Sequence, residues 1–275
     1  MTIAVLCAAL LHASWNAIAH SIKDRLIGFA LLGFTALVLA AVAAPFLPVP
    51  AGPAWPLLIA SAATHVGYNL FLMQSYRLGE FNQVYPLARG TSPWLVALIA
   101  TFAVGEDLPT THLIGVLVVS AGLASLVFAG GRPGRAELPA LAAAVCTGIF
   151  IAGYTVLDGV GVRRSGTAAG YTAWLFLLDG LPVLIIAGLA RGRDLISVGR
   201  THLRDAAAAG ILSVGAYGLV LWAQTRGQLA SIAALREASI IFGAIIGAAF
   251  FHERFGRPRV IATVVVVAGI VLLNA

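Results

Sequence analysis

Long apolar runs constrain this chain more than anything else in it. A helix that crosses a bilayer needs about 20 mostly apolar residues, because the hydrocarbon core is about 30 Å thick and each residue advances about 1.5 Å. Ten such segments can be read along the 275 residues: Thr2–Ile22, Leu26–Leu47, Trp55–Tyr76, Phe81–Gly105, Leu113–Gly131, Leu138–Leu157, Thr167–Ala190, Ala206–Thr225, Gly227–Phe251 and Val260–Ala275. The runs are continuous and lack the period-2 alternation of barrel strands, so helices are expected. The charges fall between the runs. Of 28 Asp, Glu, Lys and Arg residues, only Arg89, Asp179, Arg236 and Glu237 lie inside a segment. Only 10% of the chain is charged, against roughly 25% in a soluble domain. The reading is an all-α integral membrane protein with ten transmembrane helices.

Several function classes drop out. The net charge of +6 comes from arginines scattered over short connections, not from a long basic face or an aromatic-rich module, so no nucleic-acid partner is expected. Cys7 and Cys146 both lie in apolar segments and read as small packing residues, not a disulfide or metal pair. His12, Asn16 and His20 have helical metal spacing, but no carboxylate or cysteine completes the set on that helix; no metal and no cofactor is expected. There is no Gly-x-Ser-x-Gly elbow and no His-Glu-x-x-His, so an enzyme is not expected, although Ser92 near Arg89 and Ser239 near Arg236 keep a membrane phosphatase or transferase in view. No nucleotide-binding loop is present, which leaves facilitative, exchange or proton-coupled transport. The first segment lacks a basic leader and is read as a retained helix.

The connections give an orientation. Those after segments one, three, five, seven and nine carry twelve Lys and Arg residues; the even ones carry Arg163, Arg164 and Arg226. The positive-inside rule puts the odd connections in the cytoplasm and both termini outside.

The chain also repeats itself. Arg89 and Arg236, Glu106 and Glu253, and Gly122 and Gly269 are each 147 residues apart. Gly67 and Gly79 match Gly215 and Gly227 at a spacing of 148, and Cys7 and Trp15 match Cys146 and Tyr154 at 139. Residues 1–131 and 132–275 are therefore expected to form two five-helix repeats. Because five is odd, the second enters the membrane from the opposite side, giving inverted repeats, a recurrent basis of alternating access. A chain holding both halves is expected to work as a monomer.

Leu11-His12-Ala13-Ser14-Trp15-Asn16-Ala17 resembles the opening of EamA-type proteins of the drug/metabolite transporter superfamily. So does Gly105-Glu106-Asp107-Leu108 before a Gly-rich fifth helix, echoed by His252-Glu253-Arg254-Phe255 before Val260–Ala275. The resemblance implies ten helices in two inverted halves, a central cavity, and movement of small metabolites, such as amino acids, across an inner membrane. A lipid or lipid-linked flippase is the alternative. Many members are expected to keep their termini in the cytoplasm; the arginine count here gives the reverse.

Polar groups at mid-membrane must be paired or wetted. Arg89 and Arg236 read as two cavity cations, one per half, that bind a carboxylate or phosphate. Their alternative is structural: a pairing such as Arg236 with Asp179, or a lock between the halves. His12, Asn16 and His20 share one helix face, and His65 and Asn69 another; with Trp15, Tyr85 and Tyr154 they form an expected polar, aromatic wall. Interhelical hydrogen bonding is the alternative. Segments two, five and ten carry no charge, His, Asn or Gln until Asn274 and are expected at the periphery of the bundle. The substrate-binding set is thus His12, Trp15, Asn16, His65, Asn69, Tyr85, Arg89, Tyr154 and Arg236. His12, His65, Asp179 and Glu237 are the candidates for proton coupling or ion pairing. Glu106 and Glu253 sit in turns and are read as capping the helix that follows each or setting loop geometry, not as touching substrate.

Overall fold

A computed structural model describes residues 1–20, 24–128, 133–251 and 256–274. Every regular element among them is helical: α1 (Thr2–His20), α2 (Arg25–Ala43), α3 (Trp55–Leu78), α4 (Phe81–Ile99), α5 (Thr110–Ala124), α6 (Leu138–Ser165), α7 (Ala168–Arg191), α8 (Arg193–Thr201), α9 (Leu203–Gln224), α10 (Leu229–Arg236), α11 (Ser239–Phe251) and α12 (Arg257–Leu272). Eight helices are long and apolar enough to cross a membrane, and two shorter apolar ones complete the set at the ends of the chain. Ile3, Phe102 and Leu189 are each about 80% exposed; such side chains suit lipid, not water.

Local chemistry sets the helix ends. Asp24 caps α2, accepting from the amides of Leu26 and Ile27 at 3.0 and 3.2 Å. Thr167 caps α7 by accepting from the Gly170 amide. Pro56, Pro139 and Pro258 occupy first turns, where no helical N–H is needed. Gly166 ends α6 with φ of +72°, which a residue with a Cβ resists.

Several of the main helix pairs recur when the two halves are exchanged. α3 packs on α6 as α1 packs on α9, α4 packs on α6 as α10 and α11 pack on α1, and α2–α7 and α5–α12 are self-matching pairs. Glycines mark the crossings. A Cβ on Gly115 would meet the Gly269 carbonyl at 2.9 Å, and one on Gly269 would meet the Gly115 carbonyl at 2.9 Å. Likewise Gly67 lies against Phe150 and Gly215 against Leu11, at the spacings read from the sequence.

Connections gather by parity. At one end Arg163 binds Glu106, and the Ala51 amide donates to the Ser165 carbonyl, joining the second, fourth and sixth connections. At the other end Arg191 binds Asp24, joining the seventh to the first. Burial alone would raise the Asp24 carboxyl, but the Arg191 hydrogen bond and charge, with the Ile27 and Leu26 amides, outweigh it and hold the group below the ordinary carboxylate range. A dry core of Val5, Val96, Val156, Val220, Leu229 and Ile232 fills the even end.

Four readings of the sequence are corrected here. The sixth segment does not stop at Leu157: α6 runs 28 residues to Ser165, about 42 Å, so it carries Asp158 within it and Arg163 and Arg164 in its last turn. The ninth is not continuous; it breaks at Glu237–Ala238 between α10 and α11. The second was expected to be peripheral for want of polar residues, yet Phe29, Leu32, Gly33 and Ala36 line the cavity described below. Small residues bring it there, for a Cβ on Gly180 of α7 would come 3.0 Å from the Gly33 carbonyl. Finally, Glu106 does not cap α5. Its Oε2 accepts from the Leu229 amide at 2.8 Å, capping α10 in the other half. Glu253, His252 and the side chain of His20 lie outside what the structure describes.

Candidate binding cavity

Between the helices lies a cavity of about 140 Å³. α1 supplies His12 and Trp15, α3 His65, Tyr68 and Asn69, α4 Arg89, and α6 Tyr154. α7 supplies Phe176 and Asp179, α9 Ser213 and Tyr217, and α10 Arg236. Among the described residues none of α5 or α12 lines it; these two helices pack on each other through Gly115 and Gly269.

The two arginines have different neighbours. Arg89 is engaged: its Nε donates to Glu237 Oε2 at 2.8 Å and its Nη2 to Ser239 Oγ at 3.0 Å. The guanidinium lies 6.0 Å from the Tyr85 ring centroid. Glu237 and Ser239 are two residues apart, which in a continuous helix directs them about 200° apart. One guanidinium can hold both only if the helix opens between them, and the break between α10 and α11 falls there. The i→i−3 bonds from Glu237 to Ala234 and from Ala238 to Leu235 carry the backbone through it. Arg236 is the last residue of α10, where the helix dipole favours a cation. It is 4% exposed, and among the described residues its Nε and Nη2 have no hydrogen-bond partner. Asp179 Oδ1 is likewise without one, so the two do not form the pair weighed from the sequence.

The histidines are held by aromatic contacts. His12 meets Trp15 edge-on at 4.9 Å. His65 stacks on Tyr154 at 4.0 Å, and its Nδ1 donates to the Ser61 carbonyl at 3.0 Å. Trp15 and Tyr154, matched in the repeat, both line the cavity but pack on different histidines.

Two expected residues are placed elsewhere. Asn16 turns back on its own helix, its Nδ2 donating to the His12 carbonyl at 2.8 Å, an i−4 bond that competes with outward pointing. Tyr85 stacks on Phe81 at 5.0 Å and stands beside Arg89 instead of lining the cavity. Sequence reading missed Tyr217, Phe176 and Asp158. Asp158 is fully buried and accepts from Tyr171 at 3.0 Å and from Tyr217. Its signal was there, one turn after Tyr154, but a helix cut at Leu157 placed it outside the membrane.

The second half of the chain, residues 138–275, matches the EamA-like transporter family. The chain belongs to the EamA-like transporter family. That makes it a multi-pass membrane transporter of the drug/metabolite type, in a family of transporters and not of enzymes. Solved structures share the fold. One, titled only as a crystal structure of a protein, superposes with a TM-score of 0.77 at 20% identity, covering 99% of this chain and 97% of its own. Comparison with curated proteins gives no match.

Proposed function

We propose that this EamA-family chain is a secondary transporter, an exporter or exchanger, that carries small polar metabolites such as amino acids across an inner membrane by alternating access. The observation that carries the reading is Arg236: a buried guanidinium with two unpartnered nitrogens on a cavity wall. Burying such donors unpaired costs free energy, and a bound carboxylate would satisfy both at once as a bidentate partner. Asp179, with an unpartnered oxygen on the same cavity, suits the ammonium of the same molecule, which favours a zwitterion.

The exchangeable helix pairs support residues 1–131 and 132–275 as inverted repeats that rock about this cavity. The dry core and the Glu106–Arg163 bond close the end that holds the even connections, so substrate would enter from the odd end, on the cytoplasmic side by the arginine count. A C-terminal reporter that fluoresces only in the cytoplasm should then stay dark, and bright fluorescence would reverse the orientation.

The direct test is a thermal-shift screen of amino acids, nucleosides, sugars and organic acids on detergent-purified protein, since a ligand that binds only the folded form raises its apparent stability. Amino acids should stabilise the chain, and uptake of the best of them into proteoliposomes should be saturable. Stabilisation by lipids alone, with scrambling of labelled lipid, would replace this reading with a flippase.

A further inference from the structure

Asp158 has no role in the anion site, yet it is the most fully enclosed carboxylate near the cavity at 0% exposure, together with Glu237. Glu237 has Arg89 as a counter-ion. Asp158 has no such fixed charge: among the described residues no lysine or arginine pairs with it, and the basic side chain that acts on it is the imidazole of His65. Its partners are hydroxyls. Tyr171 donates to Oδ1 at 3.0 Å and Tyr217 donates to Oδ2.

A buried carboxylate without a permanently charged partner is costly and is relieved by taking up a cation. Two features favour the proton over a metal ion. Both carboxylate oxygens already hold hydroxyl donors, whereas a hard metal ion asks for six or more free oxygen ligands or nearly so. The surroundings also suit proton movement. Tyr217 lines the cavity on one side of Asp158, while Tyr171 belongs to the first turn of α7, at the end of the bundle that carries the even connections. The site thus stands between the cavity and that end.

The groups facing it come from each neighbouring helix. α3 brings His65 and Ser61, α7 brings Tyr171 and Asp179, α9 brings Tyr217, and α6 itself brings Tyr154. Arg89 of α4 and Arg236 of α10 act on Tyr154 one turn away, but neither bonds to Asp158.

We propose that Asp158 is a proton-binding site that couples this transporter to protons through the orientation of the Tyr217 hydroxyl. With the carboxylate ionised, Tyr217 donates its hydrogen to Oδ2. When a proton binds at Oδ2, the new O–H donates to the Tyr217 oxygen, and the tyrosine hydrogen turns toward the cavity. One proton is gained as a new O–H bond, the hydrogen bond to Tyr217 reverses, no other covalent bond forms or breaks, and the cavity wall changes from acceptor to donor. What the proton drives rests on the transporter reading; whether Asp158 binds one does not.

The test needs no substrate. Infrared difference spectra of the protein reconstituted in phosphatidylcholine liposomes are recorded from about pH 5 to about pH 9. A protonated-carboxyl stretch that disappears with rising pH is expected, present in Asp179→Asn and Glu237→Gln and lost in Asp158→Asn. Tyr217→Phe, which serves also if Asp158→Asn does not fold, should keep the band but move it to higher frequency, because the carboxyl loses a hydrogen bond. A band that survives Asp158→Asn, an unmoved band in Tyr217→Phe, a band abolished by sodium at fixed pH, or no titrating band at all would overturn the proposal.

Discussion

Arg89 and Arg236 stand 147 residues apart at matching places in the two halves, and they are chemically opposite. Arg89 is tied to Glu237 and Ser239 of the other half. Arg236 keeps two nitrogens without a partner among the described residues. The next position explains the difference. After Arg89 comes Gly90, where a Cβ would meet the Ala124 amide at 2.8 Å and the Ser120 carbonyl at 2.9 Å. After Arg236 comes Glu237, which reaches across and neutralises the arginine of the first half. The two matched positions thus supply two buried arginines, and one substitution ties the first to the other half while two nitrogens of the second keep no partner among the described residues.

The largest expected effect breaks the lock. Arg89→Ala strands the Glu237 charge in a fully buried site, which should cost about 3–5 kcal/mol, read as a large drop in thermal midpoint or folded yield. Arg89→Met combined with Glu237→Leu should recover most of that loss, because apolar residues can replace a buried pair at little cost. If Arg89→Ala melts like the parent, the pair is not a lock and the contrast with Arg236 collapses.

Arg236→Ala should leave stability unchanged or slightly raised, since it removes unsatisfied buried donors. Its effect should fall on binding: loss of about 1.5–3 kcal/mol of affinity for a carboxylate ligand, seen as loss of the ligand-induced thermal shift. Arg236→Lys should restore part of it, because a point charge lacks the bidentate fork. A full ligand shift in Arg236→Ala would return attention to His12, His65 and Asn69.

Gly90→Ala sharpens the comparison from the other side. Its Cβ meets backbone atoms, which yield less readily than side-chain tips, so a cost of about 1–3 kcal/mol is expected, measured by thermal unfolding in detergent. A neutral result would mean that α4 and α5 separate easily and that position 90 tolerates a side chain.

The smallest effect is an exposed control. The Asp24–Arg191 pair is 32% and 42% exposed, so Asp24→Asn should cost at most about 1 kcal/mol near neutral pH. The Asp24 carboxyl is held below its ordinary range in the folded chain. Its stabilisation is therefore full above the unfolded value of about 3.9 and is lost as pH falls through the folded one. Variant and parent should draw together in thermal midpoint as pH falls from about 4 through the lower folded value, and a difference that does not shrink over that fall would assign the cost of Asp24→Asn to helix capping geometry instead of charge.

The sequence by itself determined the number of apolar helices, the membrane setting and the residues most in need of a partner, because spanning length and the cost of buried charge are local quantities read one segment at a time. It placed His12, Trp15, His65, Asn69, Arg89, Tyr154 and Arg236 on the cavity wall for the same reason. Only the tertiary structure decided which arginine is held and which is free, because that depends on a carboxylate 148 residues away. It decided the break in the ninth helix, which contains no proline or glycine between Leu229 and Phe242 and opens to let one guanidinium bind Glu237 and Ser239. It also decided that the glycine-lined α2 reaches the cavity and that Asp158 lies inside the bundle, since a wall built from small residues, and a helix longer than the bilayer requires, leave no polar signature in the sequence.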